Sequence, residues 1–194
     1  MFTDKDVNID KIRERLIFNS LFVMAYEQFI NGWKDTLRAF YSDKLEFDAG
    51  VVKYLFSSKE KEKTFNQSIL GAYKNMNGKP IKSLSICKSL LNLNMIDPED
   101  FNVLKDVHEK RNKFVHEFPL LSHNVTSEDK TLLSKFMEIR TKASKRWIVE
   151  VDISTNPPEW NASFIDSDGN FVPPEEAFDI ADLYFRAIAD IALS

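Results

Sequence analysis

The chain contains few of the residues that build disulfide-linked, metal-rich or turn-rich folds. Of its 194 residues, one is cysteine, five are glycine and three are histidine. A single cysteine, Cys87, excludes an intramolecular disulfide and a cysteine-rich zinc site, and it favours a reducing compartment. The small number of glycines, together with long periodic segments, favours helices over a turn-rich β fold.

The chain also lacks a strong net charge and a long uninterrupted apolar run. A formal charge of −4 argues against a protein that coats nucleic acid non-specifically, although it is compatible with a local basic site. The apolar run from Leu16 to Ile30 contains Asn19, Glu27 and Gln28, which indicates an amphipathic core helix and not a membrane span. The first residues lack the basic-then-apolar order of a signal peptide. We therefore expect a soluble, cytoplasmic protein without membrane contact.

Apolar residues recur every three or four positions along most of the chain, which predicts helices. Capping and stop signals indicate where each helix begins and ends. The predicted helices run from Asn8 or Asp10 to Tyr41, from Ser58 to Asn75, from Ile81 to Leu93, from Asp97 to Phe118, from Ser127 to Trp147, and from Pro173 onwards. Residues 44–60 read as a mixed connection with a short apolar patch.

Two segments before the last helix are less regular. Residues 147–153 fit either a strand or a continued helix, and the helix is favoured. Turn signals bracket residues 154–172, where we expect a small irregular or hairpin insertion. The predicted fold class is all-α, as a single antiparallel bundle of five or six helices in one domain over residues 1–194.

A charged motif interrupts the apolar pattern of the helix that begins at Asp97. At about 100° per residue, its apolar face contains Val103, Leu104, Val107, Phe114, Val115 and Phe118. Arg111 lies near the middle of that face. An uncompensated buried charge is costly, so this guanidinium must be paired or must face a partner subunit or ligand.

The motif itself resembles that of a known family. Arg111, a polar Asn112 directly after it, and His116 five residues after the arginine resemble the R-x4-6-H signature of the HEPN domain. The capped helix that leads into the motif is also similar. This resemblance implies a helical, metal-independent endoribonuclease that acts as a homodimer, with the motifs of two subunits lining one cleft. Members of the family are often toxins or phage-defence effectors, which implies RNA as substrate and a cognate antitoxin or regulatory protein as partner.

The residue types suit that chemistry. Histidine titrates near neutral pH, so His116 can act as general base and later as acid. Arg111 stays protonated and offers a planar fork of donors to a phosphorane. Asn112 can orient the imidazole or bind a phosphate oxygen. His108, Lys110 and Lys113 are candidate substrate-binding residues beside the motif.

A second group of cations lies on the helix that begins at Ser127. Lys130, Lys135, Arg140, Lys142, Lys145 and Arg146 form a candidate track for an RNA backbone, and Glu138 is the carboxylate within that span. A solvated helix face explains the same pattern. No glycine-rich phosphate loop is present, and the histidines do not have the spacing of metal ligands, so we expect no metal and no cofactor.

Other interpretations of the motif remain open. Arg111 can form an ion pair that ties two helices together, and His116 can simply interact with the negative end of the helix dipole. The chain can then be a non-catalytic helical regulatory or protein-binding protein, comparable in length and layout to mannitol-repressor-like proteins. A nucleotide-binding module in which Arg111 holds phosphate without cleavage is a third interpretation.

Overall fold

A computed structural model describes residues 9–48, 51–116 and 125–152. Within these residues it contains α1 (Ile9–Tyr41), β1 (Lys44–Asp48), β2 (Val51–Leu55), α2 (Lys59–Ser68), α3 (Lys82–Asn92), α4 (Pro98–His116), α5 (Ser127–Trp147) and a π-helical turn (Ile148–Asp152). The helical class predicted from the sequence is confirmed, although the β1–β2 hairpin departs from the predicted all-α fold. The insertion expected at 154–172 and the last helix from Pro173 lie outside the described residues.

The chain divides into two compact units. The first comprises residues 1–25 and 110–194, and the second comprises residues 26–109. Helices α1 and α4 each contribute to both units, because the division between the units falls inside each of these two helices. The interpretation of residues 1–194 as one domain stays a prediction.

The connection between α1 and α2 differs from the expectation. Residues 44–55 form an antiparallel hairpin in which Leu45 pairs with Tyr54 and Glu46 pairs with Lys53. Lysine and carboxylate residues alternate with apolar residues along β1, which is the two-residue period of a strand. Arg38 of α1 lies over the Tyr54 ring, with its Cζ atom 5.8 Å from the ring centroid. The hairpin is thus held against the end of α1.

Helix α2 ends earlier than predicted, at Ser68 and not at Asn75. Its start agrees, because Ser58 caps the helix by accepting a hydrogen bond from the backbone N–H of Lys61. Beyond the helix, a Cβ atom at Gly71 would lie only 2.7 Å from the carbonyl oxygen of Gln67. Glycine allows this close approach of backbone to backbone, and the chain leaves the helix there.

Helix α3 contributes four apolar side chains to the core of the second unit. Leu84, Ile86, Cys87 and Leu90 are all buried. Burial raises the pKa of the Cys87 thiol to about 12. The helix ends in a Schellman motif, because Asn94 has φ 61° and the N–H groups of Asn94 and Met95 donate to the carbonyls of Leu91 and Leu90.

Helix α4 begins where the sequence predicts. Pro98 is its first residue, and the Asp100 carboxylate accepts a hydrogen bond from the backbone N–H of Asp97 at 2.9 Å. Leu104 and Val107 are fully buried in the second unit. The described part of the helix reaches His116, the last residue of the motif.

Helix α5 supplies the main apolar face of the first unit. A capping box formed by Thr126 and Asp129 begins the helix. Its buried apolar residues are Leu133, Phe136, Ile139, Ala143 and Trp147. The helix then widens into the π-helical turn, so the preference for helix over strand is confirmed through Asp152. Among the described residues, no helix is long and apolar enough to span a membrane.

Candidate functional site

The motif occupies the last turns of α4, in the first unit. One aromatic residue anchors this end of the helix. The Phe114 ring makes edge-to-face contacts with Phe18 and Phe22 of α1, at centroid distances of 6.2 and 5.2 Å. These contacts fix the rotation of the helix about its axis, and that rotation decides which motif side chains face solvent.

Arg111 is half-buried, and its Nε atom is shielded from solvent. The sequence predicts a guanidinium embedded in an apolar face, and this burial agrees with it. The apolar face itself is narrower than predicted. Leu104 and Val107 are buried, whereas Val115 is 40% exposed and does not belong to the packed surface. Phe118 lies outside the described residues.

Asn112 connects the arginine to the neighbouring face of the helix. The Nη1 atom of Arg111 donates a hydrogen bond to Oδ1 of Asn112 at 3.1 Å. Asn112 and His116 are four residues apart and therefore lie on the same face, one turn from each other. Arg111 and His116 point away from each other on an ideal helix, but this hydrogen bond turns the guanidinium towards the face that carries the imidazole.

His116 and Lys113 are exposed at the end of α4. The exposed imidazole can reach a ligand in solvent. Together, Arg111, Asn112 and His116 offer a permanent cation, an amide and a titratable base within six residues. The exposed Lys113 adds a second cation to the last turn of α4.

Lys110 has a structural partner. Its ammonium group forms an ion pair with the Asp129 carboxylate of α5, which is only 5% exposed. The same ammonium lies 5.2 Å from the Phe114 ring centroid. Asp129 also accepts a hydrogen bond from the backbone N–H of Thr126 at 3.1 Å. Lys110 therefore joins α4 to the first turn of α5, and its role in substrate binding stays a prediction.

His108 belongs to the second unit, where three helices meet around its ring. The Tyr26 hydroxyl of α1 lies 2.8 Å from the His108 Nδ1 atom, and the Ser83 hydroxyl of α3 lies 3.3 Å from the same nitrogen. Tyr26 is 2% exposed and His108 is half-buried. The sequence predicts a substrate-binding role for His108, but it does not reveal these contacts, because Tyr26 is 82 residues away along the chain.

The described residues thus divide the predicted site into two parts. The first unit holds Arg111, Asn112, Lys113 and His116 at one helix end, with Lys110 beside them in an ion pair. His108 is held in the second unit by hydroxyl groups. No group of three or more histidine, cysteine, aspartate or glutamate side chains within residues 9–48, 51–116 and 125–152 could hold a metal ion.

Comparison with known proteins adds no further constraint. No family model, no curated protein and no solved structure matches this chain.

Proposed function

We propose that the chain is a metal-independent endoribonuclease that acts as a toxin or phage-defence effector. The observation that carries the proposal is the Arg111–Asn112 hydrogen bond beside the exposed His116. It turns a cation suited to phosphate towards the helix face that carries a base suited to a hydroxyl proton. The resemblance of Arg111, Asn112 and His116 to the HEPN signature supports the same assignment.

The proposed reaction uses the 2′-hydroxyl of RNA as nucleophile. His116 takes the 2′-hydroxyl proton while the oxygen attacks the adjacent phosphorus atom. Arg111 stabilises the negative charge that builds on the phosphorane oxygens. The bond from phosphorus to the 5′-oxygen then breaks, and that oxygen receives the proton that His116 took from the 2′-hydroxyl. The products are a 2′,3′-cyclic phosphate and a 5′-hydroxyl, and DNA is inert because it lacks the nucleophile.

Asn112 has a positioning role in this proposal. Its Oδ1 atom accepts a hydrogen bond from the Arg111 guanidinium and so holds that group at the motif end of α4. A half-buried guanidinium also loses less conformational freedom when it binds a phosphate than a fully solvated one. The site therefore presents one ordered cation and one exposed base.

We also propose an oligomeric state, a cellular location and a class of protein partner. Two copies related by a two-fold axis would line one cleft with both motifs. Two-fold symmetry is the commonest symmetry of protein oligomers. Five or six helices would pack in one antiparallel bundle in the cytoplasm, where a cognate antitoxin or regulatory protein would restrain the activity.

A cleavage assay in the presence of a chelator tests the proposal. The full chain is incubated with single-stranded RNA and with DNA of the same sequence, and the ends of the products are identified. We expect RNA cleavage that survives chelation, 2′,3′-cyclic phosphate ends and intact DNA. Cleavage of DNA, or loss of RNA cleavage on chelation, would contradict the mechanism.

Matched variants localise the activity. Asn112→Ala should lower the cleavage rate about tenfold or more, because it releases the Arg111 guanidinium from its position. Asn102→Ala is the control, since Asn102 is exposed on the same helix outside the motif. Arg111→Lys should lower the rate at least as far, because a lysine cannot reproduce the planar fork. Equal cleavage rates for the wild type and for Asn112→Ala would show that the Asn112 amide has no role in cleavage.

An exposed apolar surface favours the protein-binding interpretation as a second candidate. In the part of α1 that belongs to the first unit, Ile9 is 74% exposed, Ile17 46% and Met24 41%. If these side chains form a continuous apolar patch, that patch is a candidate surface for another protein. A stable complex with a protein partner, together with no cleavage by the purified chain, would favour this candidate.

A further inference from the structure

The cations of α5 differ in their exposure to solvent. Arg140 is half-buried and its Nη1 atom is shielded from solvent, whereas Lys135 and Lys145 are exposed. Lys142 and Arg146 are half-buried at the edge of the solvent face. We define the α5 basic face as Lys135, Lys142, Lys145 and Arg146.

The helix geometry brings three of these residues into a row. At about 100° per residue, Lys135, Lys142 and Arg146 fall within about 40° of one another. The row is about 16 Å long at 1.5 Å per residue. Glu138 is the one carboxylate in the sequence between Lys130 and Val149, so the local charge is strongly positive although the whole chain is acidic.

The helix dipole explains only part of this pattern. Cations in the last turn, here Lys145 and Arg146, are stabilised by the negative end of the helix. Lys135 lies near the middle of α5 and Lys142 lies before the last turn, so neither gains from that effect. Ion pairs with neighbouring carboxylates would not prevent phosphate binding, because a phosphate can replace them.

The basic face lies on the helix that is tied to the motif. The Lys110–Asp129 ion pair joins the motif end of α4 to the first turn of α5. Lys135 follows Asp129 by six residues, which is about 9 Å along the helix axis. The α5 basic face therefore belongs to the same unit as the motif, on a side of α5 about 120° around the helix from Asp129.

We propose that the α5 basic face binds the phosphate backbone of single-stranded RNA and extends the nuclease site into a longer binding track. The choice of RNA rests on the proposed function. The contacts are to phosphate groups, so binding should be insensitive to base sequence and strongly dependent on salt.

The test measures binding separately from cleavage. A labelled single-stranded 2′-O-methyl RNA of about 16 nucleotides cannot be cleaved through its 2′-oxygen, and its affinity is measured between about 0.05 and 0.2 M salt. The variant is Lys135→Gln/Lys142→Gln/Arg146→Gln. The control is Lys59→Gln/Lys63→Gln/Lys74→Gln, which removes the same charge from exposed lysines of the second unit.

The wild type and the control should bind with the same affinity and the same salt dependence. The α5 variant should bind on the order of 10- to 100-fold more weakly, and the slope of log affinity against log salt should fall by about 2. Equal binding by the α5 variant and the wild type would overturn the inference, as would an equal loss in the control. No RNA binding by the wild type would overturn it as well.

Two further readouts separate this inference from its alternatives. Vesicles containing anionic lipid are tested in parallel, and binding of the wild type to vesicles but not to RNA would overturn the inference in favour of a membrane surface. Cleavage of unmodified RNA is measured independently. Salt-dependent binding that the α5 variant loses supports the inference even if no cleavage occurs, whereas cleavage with unaltered binding by the variant supports only the nuclease.

Discussion

The two histidines of α4 have opposite surroundings, although they lie only two turns apart. His108 is half-buried in the second unit, where Tyr26 and Ser83 both contact its Nδ1 atom. His116 is exposed at the end of the first unit's portion of the helix. A histidine whose ring nitrogen is held by hydroxyl groups of two other helices contributes to packing, and an exposed one is accessible to a ligand. Residue type alone does not distinguish these two roles, whereas burial does.

The largest expected effect is on the rate of RNA cleavage, which should differ sharply between variants of the two histidines. His116→Ala should lower RNA cleavage by about 10²- to 10⁴-fold, which is the usual contribution of a general acid or base. His108→Ala should leave the cleavage rate per folded molecule nearly unchanged. Product formation and circular dichroism of both variants check the two statements together. If the His108→Ala variant folds but no longer cleaves RNA, the assignment of the catalytic role to His116 alone is wrong.

The next effect concerns the attachment of the motif to α5. Asp129→Ala should lower the free energy of unfolding by about 2–4 kcal/mol, because it leaves the Lys110 ammonium without its partner and removes half of a capping box. Glu128→Ala is the matched control, since Glu128 is exposed in the same helical turn and should change stability by less than about 0.5 kcal/mol. Denaturation by urea measures both. A loss for Asp129→Ala no larger than that for Glu128→Ala would show that the ion pair does not stabilise the fold.

The smallest expected effect is on the free energy of unfolding, and it tests the hydrogen bond between Tyr26 and His108. Tyr26→Phe keeps the ring and removes the hydroxyl group, so it should lower the free energy of unfolding by about 1–2 kcal/mol. Tyr54→Phe should cost less, because that hydroxyl belongs to a half-buried ring of the β1–β2 hairpin. Urea denaturation of both variants compares the two hydroxyl groups directly. An unchanged stability for Tyr26→Phe would mean that the hydrogen bond to His108 contributes no net stabilisation.

Local signals in the sequence predicted the helix boundaries well. The starts of α4 at Asp97-Pro98 and of α5 at Ser127 were both predicted, and the hydrogen bonds at these helix starts join residues within four positions of each other. The cap of α5 is Thr126, which the prediction did not name. Such contacts form wherever the local sequence allows them, so a single sequence suffices to predict them. The end of α2 was placed too late, since residues 69–75 keep an apolar pattern after the helix has ended.

The β1–β2 hairpin was missed although its signal is present. Lys44, Glu46 and Asp48 alternate with Leu45 and Phe47, which is the period of a strand. A run of five residues is too short for that period to stand out beside a helix of 33 residues. The second strand adds no alternation, because Lys53 is its one charged residue and apolar or aromatic residues occupy the other four positions.

The candidate site could be predicted only in part. The positions of Arg111, Asn112 and His116 on one helix end follow from the spacing, and the hydrogen bond between the first two is local. The partners of Lys110 and His108 lie on other helices, and tertiary packing alone brings them together. A sequence cannot distinguish a lysine that awaits a ligand from one that already holds a buried carboxylate.

The carboxylate of Asp129 has a consequence for how this region folds. It accepts from its own helix start and from a lysine of the preceding helix at the same time. A fragment that begins at Thr126 would keep the first of these interactions and lose the second, so its opening turn would fray. The amides at the beginning of α5 and those of the motif should therefore exchange hydrogen with similar opening free energies, as one cooperative unit.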